Sequence, residues 1–129
     1  MNILKIKGSD VISSDQLGPY RIESLISREE EGQLTAYRVR IEPHEETSES
    51  YHQIAEELYY VLEGEGTAIL NGIEHSLVAG DFLRLPPGTR HRFRTAARGL
   101  VMLDIHSPGS RPDRDVYFTG ETPTGFGTE

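Results

Sequence analysis

Residues 50–66 read SYHQIAEELYYVLEGEG, and residues 80–95 read GDFLRLPPGTRHRFRT. In the first stretch, Leu58 to Leu62 is rich in aromatic and β-branched side chains, which favour pleated sheet, and Gly64 and Gly66 are read as its end. In the second, Phe82 to Leu85 is a short apolar run that stops at Pro86-Pro87-Gly88, because proline has no N–H to continue a ladder. Between the two, Thr67 to Leu70 and Ile73 to Val78 flank Asn71-Gly72. That pair is a strong hairpin signal, since both residues accept positive φ. Gly80-Asp81 makes the next turn.

The same pattern continues outward in both directions. Tyr20 to Ile26, Leu34 to Ile41, His91 to Arg94 and Leu100 to His106 read as strands, and Asp115 to Phe118 as a short one that packs back. Ser24 to Glu31 has room for one or two helical turns, and no stretch carries an amphipathic helix of three. Short strands joined by hairpin turns imply an all-β antiparallel sandwich or barrel with little helix. The length of 129 residues suits one domain, with its core at about 34–107. Residues 119–129 are read as a loose tail, Gly/Thr/Pro-rich from Thr122 onward.

Composition narrows the function. The chain has no cysteine, which excludes disulfides, thiolate metal sites and cysteine nucleophiles. Its formal charge of −8 argues against sequence-independent nucleic-acid binding, which rests on cationic surface. The local run Arg84, Arg90, Arg92, Arg94 and Arg98 reads first as outward arginines alternating along a strand, and second as an anion-binding face. Met1 to Lys7 lack the long apolar core of a signal peptide, and no run approaches the roughly 18 apolar residues of a membrane span. The expectation is a soluble cytoplasmic protein without a membrane partner.

The two quoted stretches together resemble the paired motifs of the cupin superfamily, in register across roughly Leu34 to Ser107. His52, Glu57 and Gly64 fall on the second histidine, the glutamate and the closing glycine of the first motif; Gly80, Pro86, Gly88 and His91 fall in register with the second. Ser50 stands where the first histidine belongs, and Thr95 where the terminal asparagine belongs. The resemblance implies a double-stranded β-helix, or jelly-roll barrel, with one divalent metal ion in its mouth. It implies His52, Glu57 and His91 as ligands. Two imidazoles and a carboxylate with open positions suit Fe(II), Mn, Ni, Cu or Zn.

With Ser50 too short to reach an ion held by the others, the fourth position falls to water or to another side chain. His106, ending the apolar strand from Leu100, leads the candidates, with Asp104 on the same strand face as a supporting partner. Tyr59 shares a face with Glu57, and Phe93 with His91. The catalytic candidates are His106, Tyr59 and Arg84, the last read as an inward anchor for a substrate carboxylate. His44 and His75 read as surface residues. The family also implies a homodimer, here expected through N-terminal strands at Ile3 to Ile6 and Tyr20 to Ile26. Fold does not fix function. The first reading is a metal-dependent enzyme of the dioxygenase, isomerase, lyase or cyclase class acting on a small organic ligand. The second is a non-catalytic small-molecule-binding or sensor domain with a degenerate site.

Overall fold

The computed structural model describes residues 1–8 and 13–127. Among the described residues ten strands follow one another: β1 (Ser13–Leu17), β2 (Tyr20–Ser24), β3 (Thr35–Ile41), β4 (Ser50–Tyr51), β5 (Glu56–Leu70), β6 (Ile73–Val78), β7 (Phe82–Leu85), β8 (His91–Arg94), β9 (Leu100–Ser107) and β10 (Tyr117–Phe118). One 3-10 turn, Arg28–Glu30, is the helical content expected near Ser24 to Glu31. Every strand pair is antiparallel. The order β1-β2-β3-β9-β5-β8-β4-β10, with β6 and β7 also on β5, curls into an all-β barrel-like half-shell. No helix among the described residues is long and apolar enough to cross a membrane.

β5 is the hinge of this shell. Its first half pairs with β7 and β9, and its second half with β6 and β8. The sequence pattern implies one strand ending at Gly64 and another starting at Thr67; the chain instead runs through as one strand, with a bulge between Val61 and Glu63. A bulge adds twist and bend without ending a ladder. Gly64 makes the bend possible: its φ is +86°, and a Cβ there would lie 1.8 Å from the Gly99 carbonyl oxygen. Gly64→Ala is therefore expected to cost about 3 kcal/mol or more, from backbone strain and a clash that neither strand can relieve. Urea unfolding checks this; an unchanged midpoint would contradict it.

Strict alternation sets the two faces. On β3, Thr35, Tyr37, Val39 and Ile41 are buried while Ala36, Arg38 and Arg40 are half-exposed. On β9, Leu100, Met102, Asp104 and His106 point inward. Register then stacks inward side chains in rows. Val39, Met102 and Val61 lie across one row; Tyr37, Asp104 and Tyr59 across the next; Thr35, His106 and Glu57 across the one nearest the open end. The floor is closed by Ala68, Leu77, Phe93 and Leu100, all nearly free of solvent. The core is thus apolar at one end and ionisable at the other, which places the site.

Several expectations need correction. Residues 3–6 form no strand within this chain, and β2 is paired on both sides, by β1 and β3. β1, unread in the sequence because its residues are polar, pairs with β2 from Ser13↔Ser24 to Leu17↔Tyr20; residues 9–12, within the N-terminal segment expected to reach a partner, lie outside the described residues. The short strand expected from Asp115 is confined to Tyr117–Phe118 and pairs with β4. The tail read as loose folds back: Phe126 meets Tyr20 and Phe118 edge-on at 6.2 and 5.3 Å, and Gly127 N–H donates to Pro112 O. The last two residues of that tail lie outside the described residues. The arginine run follows its plainer reading, with Arg92 on Glu46 and Arg94 on Glu74, each at 2.8 Å.

Candidate metal centre

Four side chains from four elements meet at the open end. Glu57 comes from β5, His91 opens β8, His106 sits on β9 opposite both Glu57 and Thr35, and His52 follows β4. The turn Pro86-Pro87-Gly88 fixes His52, because Gly88 N–H donates to the His52 carbonyl at 2.6 Å. All four are at least nine-tenths buried. His52 Nε2 and His91 Nε2 each lie 3.3 Å from Glu57 Oε1, and His106 Nε2 lies 2.7 Å from Glu57 Oε2.

Each ring is held from behind. His52 Nδ1 is 2.6 Å from Asp115 O and 3.2 Å from Ser110 Oγ, and that hydroxyl donates elsewhere, to Arg114 O. His91 Nδ1 is 3.1 Å from Thr89 O. His106 Nδ1 is 3.4 Å from Thr35 Oγ1, whose single hydrogen goes to Ser110 O. Every Nδ1 partner is an acceptor, so every Nδ1 carries the proton in the neutral ring and every Nε2 turns its lone pair inward. With all three rings neutral, three lone pairs and a carboxylate then face one another, and the 2.7 Å His106 Nε2–Glu57 Oε2 contact becomes a hydrogen bond only if that ring takes a second proton. Glu57 Oε1 is buried and has no hydrogen-bond partner. A bare cluster of acceptors is costly, and a cation at its centre relieves it. Two bonds of about 2.1 Å meeting at tetrahedral or octahedral angles leave donor atoms about 3.0–3.4 Å apart; the two 3.3 Å separations fall in that range, and the 2.7 Å one from His106 is shorter.

Burial works to raise the Glu57 carboxyl, yet the positive charge that His106, His91 and His52 carry when protonated outweighs it and holds Glu57 well below the usual carboxylate range. Burial lowers His91, keeping its ring neutral. In His52 burial, which lowers, is outweighed by the Glu57 carboxylate and then by Asp115, so its pKa is raised above the ordinary imidazole value. Asp104, one row deeper, is pushed well above its ordinary range by burial first and the Glu57 charge second. Tyr59 is likewise pushed up by burial, then by Asp104 and Glu57, and remains a protonated phenol.

Of the expected residues, His52, Glu57, His91 and His106 come together, and Ser50, Tyr59 and Asp104 line the same cavity. Arg84 does not: it is exposed on β7, whose inward positions belong to Leu83 and Leu85. His44 and His75 are exposed. Sequence reasoning missed the anchors Thr35, Ser110 and Asp115, which lie in a strand end and an irregular loop without periodicity. It also missed Tyr20, Phe118 and Phe126, which wall the cavity; a lone aromatic residue in a Gly-rich tail was the one available signal. The cavity measures about 60 Å³, several times the ~10–15 Å³ that one water needs.

A family model described as "Cupin domain" matches residues 37–106. Protein SchB of Streptomyces halstedii is 37% identical over 84 residues, 64% of this chain and 61% of that protein. The chain thus spans less than two thirds of that relative's length. The polyketide cyclase RemF of Streptomyces resistomycificus superposes with a TM-score of 0.76 at 21% identity, covering 95% of this chain and 90% of that one. The nucleoside dehydratase Pac13, from Streptomyces, superposes with a TM-score of 0.74 at 20% identity, covering 92% of both chains. At these identities the two structural likenesses concern fold.

Proposed function

This chain belongs to the cupin domain family, and from that premise we propose that it is a metal-dependent enzyme acting on a small organic substrate. The observation that carries the reading is the convergence of three Nε2 lone pairs on Glu57, whose Oε1 has no partner. His52, Glu57, His91 and His106 would hold the ion. A divalent ion in such a site supplies Lewis acidity toward a substrate oxygen. The protein supplies the rest. Thr35, Ser110, Thr89 and the Asp115 carbonyl hold the rings in one tautomer. Tyr20, Phe118 and Phe126 make an apolar wall that excludes water and suits a flat ring. Tyr59, beside the ligand row, keeps a proton available to a substrate oxygen.

RemF is a polyketide cyclase and Pac13 a nucleoside dehydratase, and the aromatic walls here support a substrate of that broad kind, a ring-bearing molecule with oxygen donors. The test is a turnover screen on such compounds with protein stripped by a chelator and then reloaded with Fe(II), Mn, Ni, Cu or Zn. Conversion is expected only after reloading, and not in a reloaded His52→Ala chain. Turnover indifferent to stripping would overturn the metal role; ligand binding without turnover would favour a sensor domain.

We also propose a homodimer. The outward face of the large sheet exposes Tyr60, Leu62 and Phe82, with Leu103 and Ile105 half-buried beside them. Contiguous apolar patches of this kind mark association surfaces. Light scattering at micromolar concentration is expected to give twice the chain mass of 14.5 kDa. A mass of one chain would contradict it.

A further inference from the structure

Asp104 sits two residues before His106 on β9, so both side chains face the interior. It lies across from Tyr37 on one side and Tyr59 on the other. Its side chain is buried, lines the cavity, and its Oδ1 has no hydrogen-bond partner. Oδ1 is 3.7 Å from His106 Nε2. Donor atoms of Glu57, Asp104 and His106 all lie within 4.8 Å of one another, in a group that shares Glu57 with the group of His52, Glu57 and His91. Arg111 is the one cationic side chain among the described residues lining the cavity, and it is turned away, to Glu31 Oε1 at 2.8 Å. A second buried carboxyl with an unpaired oxygen, beside a first, is costly as a carboxylate unless something positive compensates both, and without such a charge it keeps its proton.

We propose that Asp104 is a fifth protein donor at this centre, a carboxylate arm from below that contributes what the imidazole absent at Ser50 does not. The inference rests on the metal reading above. Three arguments carry it. Two bonds of about 2.1 Å meeting at the roughly 120° equatorial angle of a five-coordinate ion place donors about 3.6 Å apart, and Asp104 Oδ1 lies 3.7 Å from His106 Nε2. Two carboxylates with three neutral imidazoles balance the charge of a divalent ion, whereas Glu57 alone leaves one positive charge buried and uncompensated. Finally, Asp104 has no other partner on Oδ1 to explain its burial. A set of three imidazoles and two carboxylates favours ions that accept five or six ligands with oxygen among them, Mn(II) and Fe(II), over tetrahedral Zn(II).

The experiment is calorimetric titration of stripped protein with Mn(II) and with Zn(II), for the wild type, Asp104→Asn and Asp104→Ser, with circular dichroism as the check on folding. The second substitution stands in if the first fails to fold. Visible spectra of the Co(II)-loaded chains report coordination number. Asp104→Asn is expected to weaken Mn(II) at least tenfold, to weaken Zn(II) less, and to intensify the Co(II) bands as the coordination number falls. Wild-type Mn(II) affinity and an unchanged Co(II) spectrum in a folded variant would overturn the role of Asp104 and leave the metal reading standing. A wild-type chain that binds neither ion would overturn both.

Discussion

Glu57→Gln is expected to weaken binding of a divalent ion by at least ~100-fold while leaving the sheet intact. Loss of a partner behind a metal ligand costs ~10–100-fold in affinity, and Glu57 is more than that: it is the group on which all three Nε2 atoms converge, at 3.3, 3.3 and 2.7 Å. The amide matches the carboxylate in shape but lacks its charge, and its N–H₂ presents donors where the cluster offers a cation its lone pairs. The loss has a thermal counterpart. An ion present at 100 times its dissociation constant stabilises the folded wild type by about 2.7 kcal/mol, near 10 °C in Tm for a chain of this size. The variant should show almost no metal-dependent shift at the same concentration. His75→Ala, on the exposed β6, should behave as the wild type. A Glu57→Gln chain that keeps the full shift would place the ion elsewhere.

Asp115→Ala is expected to cost about 3–5 kcal/mol, lowering Tm by roughly 10–20 °C. The Asp115 carboxylate accepts from the N–H groups of Gln53, Ile54 and Ala55 at 2.9 to 3.3 Å, and Ala55 is 1% exposed. Each hydrogen bond to a charged group contributes about 1.5–3 kcal/mol, and orphaned buried donors add their desolvation cost. Asp115 also has φ of +60°, which Asp tolerates better than Ala. Its own carbonyl holds His52 Nδ1 at 2.6 Å, so the variant should lose metal affinity along with stability. Asp115→Asn, which keeps one carbonyl acceptor, should fall in between. A Tm within about 3 °C of the wild type for Asp115→Ala would show that the loop is held by something else.

Much of this was legible in the sequence where one local rule dominates. The Asn71-Gly72 hairpin appears as read, with φ of +50° and +82°, because positive φ at two successive positions leaves few alternatives. Alternation on Leu34 to Ile41 and Leu100 to His106 gave both strands and their faces, since only period two buries every second residue. His52, Glu57 and His91 stood out by spacing. His106 stood out by position at the end of an apolar strand, and the structure brings it to Glu57 while Ser50 only lines the cavity.

What escaped the reading depends on contacts distant in sequence. Whether Gly64 ends a strand or bends it is decided by the Gly99 carbonyl packed against it, 35 residues away in the chain, which no local window contains. Arg84 looked like an anchor because its strand leads to the second motif, but pairing of Leu58 with Arg84 puts that position on the outer face. Ser110 and Asp115 lie in a polar loop whose composition signals a turn, and nothing in it announces that the loop returns to brace His52. Phe126 belongs to a Gly-rich segment and packs where β2 and β10 present Tyr20 and Phe118 to it.

The central claim is that His52, Glu57, His91 and His106 hold one divalent ion. X-ray absorption at the metal edge, on the chain loaded with one equivalent, counts imidazoles directly through their outer-shell scattering. Three imidazoles per ion are expected in the wild type and two in His106→Ala. An ion without imidazole scattering, or a count unchanged by His106→Ala, would contradict the account.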